Sequence, residues 1–219
     1  MQKLDQANET FDRALEECEK FKNALVTELG GMPIASERSR LAHLFLCIAL
    51  DHFRAITHLL DDGRYAASAF ALVRPVADAS FRSVWIAQFA SDDEIKAKLK
   101  NDKSEYKSVR EISRLIKKRF CSEDQFTDMI AEDYDVLCGY VHTGLRQLKS
   151  KATASRTKEF PFKKALAMLS ASAFYLWLGA CQLAMSIHKG EAVLRIDKAH
   201  NKLSKAIDTL IEVPTFWVN

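Results

Sequence analysis

The chain has 219 residues and a formal net charge of +3, with 48% hydrophobic and 28% charged residues but only seven glycines and four prolines. That balance excludes a disordered or linker-rich chain, and the length suffices for one substantial hydrophobic core. A charge this close to neutral does not by itself imply a nucleic-acid partner.

The first element is a heptad helix. Leu4, Phe11, Cys18 and Leu25 recur every seven residues, and Ala7, Ala14 and Phe21 fill the second seam. The pattern predicts a helix of about 25 residues that packs along its whole length. Gly30, Gly31 and Pro33 stop it. Its partner is either another helix of the same chain or the equivalent helix of a homodimer. Ser36 then caps a second helix with the apolar stripe Leu41, Leu44, Phe45, Ile48, His52, Ala55, Ile56 and Leu59. It ends at Asp61, Asp62 and Gly63. The third helix, over 65–90, follows so closely that the two are expected to form an antiparallel hairpin.

Ser91 with Glu94 forms a capping box for a short charged helix ending near Asn101. A helix over 104–120 turns Val109, Ile112 and Leu115 or Ile116 inward, and Ser122 with Gln125 opens another over 122–149. After a basic polar loop at 150–159, Pro161 suits the first turn of a run that carries no charge from Ala165 to Ile187. That run is long enough to cross a bilayer, so a membrane-associated helical protein is one alternative. Its alanines, serines and Gln182 fit better the central buried helix of a soluble fold. Beyond Gly190 a last helix spaces Val193, Ile196, Leu203, Ile207 and Leu210 for burial. Pro214 ends it, and Phe216 and Trp217 are expected to dock on the body. The expected fold is therefore all-α: one domain, 1–219, built as a bundle of six to eight helices with the uncharged helix at its centre.

Five cysteines, Cys18, Cys47, Cys121, Cys138 and Cys181, lack any CxxC pairing and read as small buried hydrophobes in a reducing compartment. No basic stretch followed by an apolar run opens the sequence, so the expectation is a cytoplasmic protein.

Two segments place polar residues where a core is expected. Arg74 and Asp78 lie four apart on the third helix, beside Pro75, and Arg82 continues their stripe. Unpaired burial of either charge is costly, so the spacing predicts an ion pair in a poorly solvated groove. In 134–150, Asp135, Gly139, His142 and Arg146 recur at four, three and four on one face, with Tyr134 at its start. If the two faces meet, they form a charged cluster around one imidazole, an environment in which proton affinities shift. A structural ion pair and a satisfied core histidine are the competing meanings. Asp135, Cys138 and His142 lack the spacing of a metal motif. No GxGxxG, Walker or GxSxG motif occurs, so neither metal nor cofactor is implied. Lysines and arginines crowd 96–119 and 146–164. Solvated helix faces are their ordinary meaning, with phosphate contact as the alternative.

The patterns ALVRPVADASFRSVWI and YDVLCGYVHTGLRQ together resemble a group of uncharacterised bacterial all-helical proteins. In that group an Arg-x-x-x-acid helix precedes one with a Tyr-x-His-x-Gly signature. The chain also distantly resembles the HEPN superfamily of helical bundles, several members of which are RNA-cleaving, dimeric toxins or defence proteins. Their motif sets an arginine ahead of a histidine on a late helix, with four to six residues between them. Here His142 precedes Arg146, and the motif's spacing occurs instead at Arg38 and His43 on an early helix.

The expected role is a binding or structural one organised by Arg74, Asp78, Arg82, Tyr134, Asp135 and His142, with RNA or a small polar ligand as partner. The alternative is a metal-independent ribonuclease, with His142 as general acid or base and Arg74 or Arg146 stabilising the transition state.

Overall fold

The computed structural model describes residues 2–62, 65–100, 106–120, 134, 136–138 and 162–210, without side chains at 2–10, 120, 162, 209 and 210. Among the described residues every regular element is an α-helix: α1 (Gln2–Gly30), α2 (Glu37–Asp61), α3 (Ala66–Gln88), α4 (Asp92–Lys100), α5 (Val109–Phe120), α6 (Phe162–Ser186) and α7 (Gly190–Leu210). Residue 134 and residues 136–138 are also helical.

Local chemistry starts and stops these helices. Ser36 caps α2 in a reciprocal box with Ser39, so Ser39 does the work more often given to Glu or Gln. Ser91 with Glu94, and Ser108 with Glu111, make capping boxes at α4 and α5. The latter explains why α5 begins at Val109 and not at 104. At the end of α6 the Lys189 amide donates to Ala184 and the His188 amide to Met185. This closing turn places His188 at φ 57°, a left-handed position that glycine ordinarily fills.

α3 packs on α2 as the expected hairpin and, on its other side, on α6. Contacts Phe70 with Lys164, Phe81 with Tyr175 and Gln88 with Gln182 keep one sequence offset, so α3 and α6 run parallel. α7 returns antiparallel along α6 and along α1, through Trp177 with Asp197 and Glu28 with Arg195. α6 thus touches α1, α2, α3 and α7. It is long and apolar enough to cross a membrane, yet 78% of its most apolar stretch is buried inside the fold. Its place is the centre of the bundle.

The α1 seam is filled within the chain: Phe11, Ala14, Cys18, Phe21 and Leu25 are all buried, and α1 packs chiefly against α7. The stripe predicted for α2 is corrected. Its core face is Ala42, Leu46, Ala49, Phe53, Ile56 and Leu60, while Leu44 and Ile48 remain 49% and 47% exposed. α2 is apolar around most of its circumference, so periodicity admits either face. Packing against α3 and α6 decides between them and buries the face that carries Ala42 and Ala49. The tail carrying Phe216 and Trp217 and the helix predicted over 122–149, apart from the few residues noted, lie outside the described residues.

Helices approach closely at Gly179 of α6. A Cβ there would sit 2.6 Å from Leu46 Cδ2 and 3.4 Å from the Ser80 carbonyl oxygen. The Leu46 side chain would have to give way to admit a methyl group, and the Ser80 backbone leaves little room for anything larger. Gly179→Val is therefore expected to lower unfolding stability by about 1–3 kcal/mol, the usual range for overpacking, read as a lower urea midpoint.

A second test comes from His200 on α7. Its ring stacks on Trp177 at 5.1 Å and meets Phe21 at 5.8 Å, while Asp197 accepts the Trp177 indole N–H at 3.1 Å. Burial holds the imidazole below its ordinary pKa of 6.5, with Asp197 opposing. The unfolded chain therefore binds the proton more readily. Stability is fully present above about pH 6.5 and declines as the pH falls through that value toward the lower folded one. Denaturation midpoints between pH 7.5 and 5 are expected to fall less for His200→Phe than for the parent.

Candidate functional site

Arg74 and Asp78 stand one turn apart on α3, which runs unbroken through Pro75. Arg74 Nε lies 3.6 Å from Asp78 Oδ2, and each side chain is 23% exposed. The predicted ion pair is present but long for a direct bond, because a third group joins it. The Tyr134 hydroxyl donates to Asp78 Oδ1 at 2.6 Å and accepts from Arg74 Nε at 3.2 Å. The guanidinium carbon also lies 5.5 Å from the centre of the Tyr134 ring. Cation, phenol and carboxylate therefore form a closed triad. Beside it Val136 and Leu137 are buried, which anchors the segment carrying Tyr134 to the core.

The electrostatics follow from this geometry. Burial, reinforced by the bond to Asp78, pushes the Tyr134 hydroxyl up to about 12. Burial opposes the Arg74 charge, but the bond to Tyr134 and the nearby Tyr134, Cys138 and Asp78 outweigh it and raise its pKa. At neutral pH the triad is a guanidinium, a neutral phenol and the Asp78 side chain that accepts the phenol's hydrogen.

Arg82 does not join the triad. Its guanidinium lies 5.0 Å over the Tyr106 ring, which Lys98 approaches to 4.7 Å. Tyr106 in turn meets Phe45 and Trp85 edge-on. This cluster ties α4 and the start of α5 to α2 and α3. Nothing in the spacing around Tyr106 announces it, since the partners named here come from three separate helices, α2, α3 and α4. Asp135, His142 and Arg146 lie outside the described residues. Among the described residues no three His, Cys, Asp or Glu side chains converge to hold a metal ion.

The arginine and histidine that match the nuclease spacing are used otherwise. Arg38 Nη1 donates to the carbonyls of Ile86 and Ala90 at 2.7 and 2.6 Å, and its Nη2 donates to Asp92. With Arg119, which donates to the Gln88 carbonyl, it supplies positive charge to the C-terminal end of α3. His43 Nε2 lies 3.2 Å from the Leu29 carbonyl oxygen, and Cys47 Sγ lies 3.6 Å from His43 Nδ1. Both residues tie helix ends together.

The sequence pattern described as Family of unknown function (DUF6988) matches residues 46–209, well over half of the chain. The chain belongs to this family. The DUF6988 region runs from the middle of α2 almost to the end of α7 and contains Arg74, Asp78 and Tyr134. It excludes α1, Arg38 and His43. No curated protein and no solved structure matches the chain.

Because the phenol bridges Arg74 and Asp78, removing its hydroxyl deletes both of its bonds to a part-buried ion pair held at 3.6 Å. Tyr134→Phe is expected to cost about 1–3 kcal/mol of stability in urea unfolding, the range for stranding buried polar groups. Asp78→Asn combined with Tyr134→Phe should cost less than the sum of the two single changes, because both report the same bond.

Proposed function

We propose that this DUF6988 protein is a binding protein whose polar site is organised by the Arg74, Tyr134 and Asp78 triad. The observation that carries this reading is the closed cycle itself. The phenol hydroxyl is engaged as donor and as acceptor, with its pKa near 12. General acid or base catalysis calls for a group that exchanges its proton near the working pH, and Tyr134 does not offer one. A fixed cation, hydroxyl and carboxylate, each in a set orientation, instead suit recognition of a small polar ligand. The partial exposure of Arg74 and Asp78 supports access from solvent. Asp135, His142 and Arg146 share one helical face by spacing, in the segment that Tyr134 opens, and extend the same site in this reading.

Ribonuclease chemistry would need His142 and an arginine to act outside the triad. The test incubates the full chain with labelled total RNA in EDTA, beside a His142→Ala variant. The expected result is intact RNA with both proteins. Cleavage by the parent that the variant loses would replace the binding reading with the enzymatic one. Thermal shift with small carboxylates and phosphates is the complementary measurement. A ligand that raises the Tm of the parent but not of Arg74→Gln supports the triad as its site, and equal shifts in both proteins reject it.

A further inference from the structure

A groove of about 800 Å³ runs between α1 and α7, on a different surface from the triad. Phe21, Ala24, Ala199 and Ala206 line its floor. Lys20, Lys198, Lys202 and Lys205 stand along its walls, with Glu17 and Arg195. The floor is hollow because three of its four residues are alanines: α1 and α7 touch through the larger side chains beneath and leave a trough above them.

The charges of this groove divide into two kinds. Lys20 is held by Glu16 and Glu17, and Arg195 by Glu28 and Glu191. Lys198, Lys202 and Lys205 are exposed, and among the described residues no acidic side chain lies within ion-pair distance of them. They recur at four and three along α7, so they form one row. Adjacent members are about 4.5–6 Å apart along the helix axis, less than the Debye length of about 8 Å at physiological salt, and their fields add. A row of unmatched ammonium groups beside an apolar trough fits a partner with the opposite pattern. Its apolar ridge would fill the trough and its carboxylates would meet the row. A nucleic acid would satisfy the lysines but not the trough, which offers no exposed aromatic face for base stacking.

We propose that the α1/α7 groove is the docking site for an acidic amphipathic helix of another protein. From Arg195 to Ala206 the groove is about 16 Å long, so three helical turns of the partner fill it. Recognition is helix-in-groove, with anchors at i, i+3 or i+4 and i+7. Lysines on the rim chiefly govern encounter rate and salt dependence, while the trough selects shape.

The test is fluorescence anisotropy on the full chain. The probe is a labelled 18-residue helical peptide with leucines on one face, flanked by glutamates. Comparators are a peptide of the same composition with its leucines dispersed around the helix, and an RNA duplex. The expected result is saturable binding of the one-faced peptide that weakens with salt. The dispersed peptide should bind at least tenfold more weakly. The combined Lys198→Glu, Lys202→Glu and Lys205→Glu variant, shown folded by circular dichroism, should lose at least tenfold. Ala199→Trp fills the trough without altering charge and should lose a similar factor.

No binding below about 100 μM, equal binding of the two peptides, or indifference to both variants would overturn the proposal. Binding of the RNA duplex with equal affinity, abolished by the charge reversal but not by Ala199→Trp, would reassign the surface to a nucleic acid.

Discussion

The architecture depends on one helix being surrounded. α6 meets α1, α2, α3 and α7, which is possible only because its long interior stretch brings no charge to any of those contacts. At Gly179 it brings no side chain either, and Leu46 and Ser80 close over the gap. The arrangement has a polar cost. Ser80 Oγ, Ser83 Oγ, Trp85 Nε1 and Gln182 Oε1 are buried and find no hydrogen-bond partner among the described residues. Each sits on α3 or α6, where close backbone approach and apolar burial outweigh a few kcal/mol of unmade bonds. Ser172 avoids the cost by donating back to Met168 at 2.7 Å.

With α6 central, the ends of the helices become the places where polar chemistry concentrates. Arg38 and Arg119 converge on the last carbonyls of α3, and Gln88 reaches across to the Gln182 carbonyl of α6. These bonds lock the α2, α3 and α6 register from the side, so the middle of α3 can afford a charged pair near the core. The triad of Arg74, Tyr134 and Asp78 is that pair completed by a phenol. The same physics separates it from the Arg82 and Tyr106 cluster further along α3. In the first the cation meets a carboxylate and a hydroxyl, and in the second Arg82 lies over an aromatic face.

The DUF6988 match begins inside α2, yet the fold is not complete there. α1 contributes Cys18, Phe21 and Leu25, each fully buried, and seals the side of α7 that carries His200. α1 and α7 therefore act as a unit in two ways. Their inner faces close the core, and the shallow alanine seam between them leaves the basic groove on the outside.

Much of the fold was legible in the sequence because helices declare themselves locally. The heptads of α1, the cap at Ser36, the capping pair of Ser91 and Glu94, the glycines at the end of α1 and the start of α7, and the charge-free run of α6 each depend on residues within one or two turns. The ion pair of Arg74 and Asp78 was legible for the same reason, being four residues apart on one helix. What the sequence could not decide was which apolar face of α2 is buried, since both satisfy the helical period and only the closeness of α3 and α6 selects Ala42 and Ala49 over Leu44 and Ile48. Nor could it reveal that Tyr134, 56 residues from Asp78, completes the ion pair, or that Lys198, Lys202 and Lys205 overlook an apolar trough. Those are contacts between segments distant in the chain, and only tertiary packing brings their atoms within bonding range.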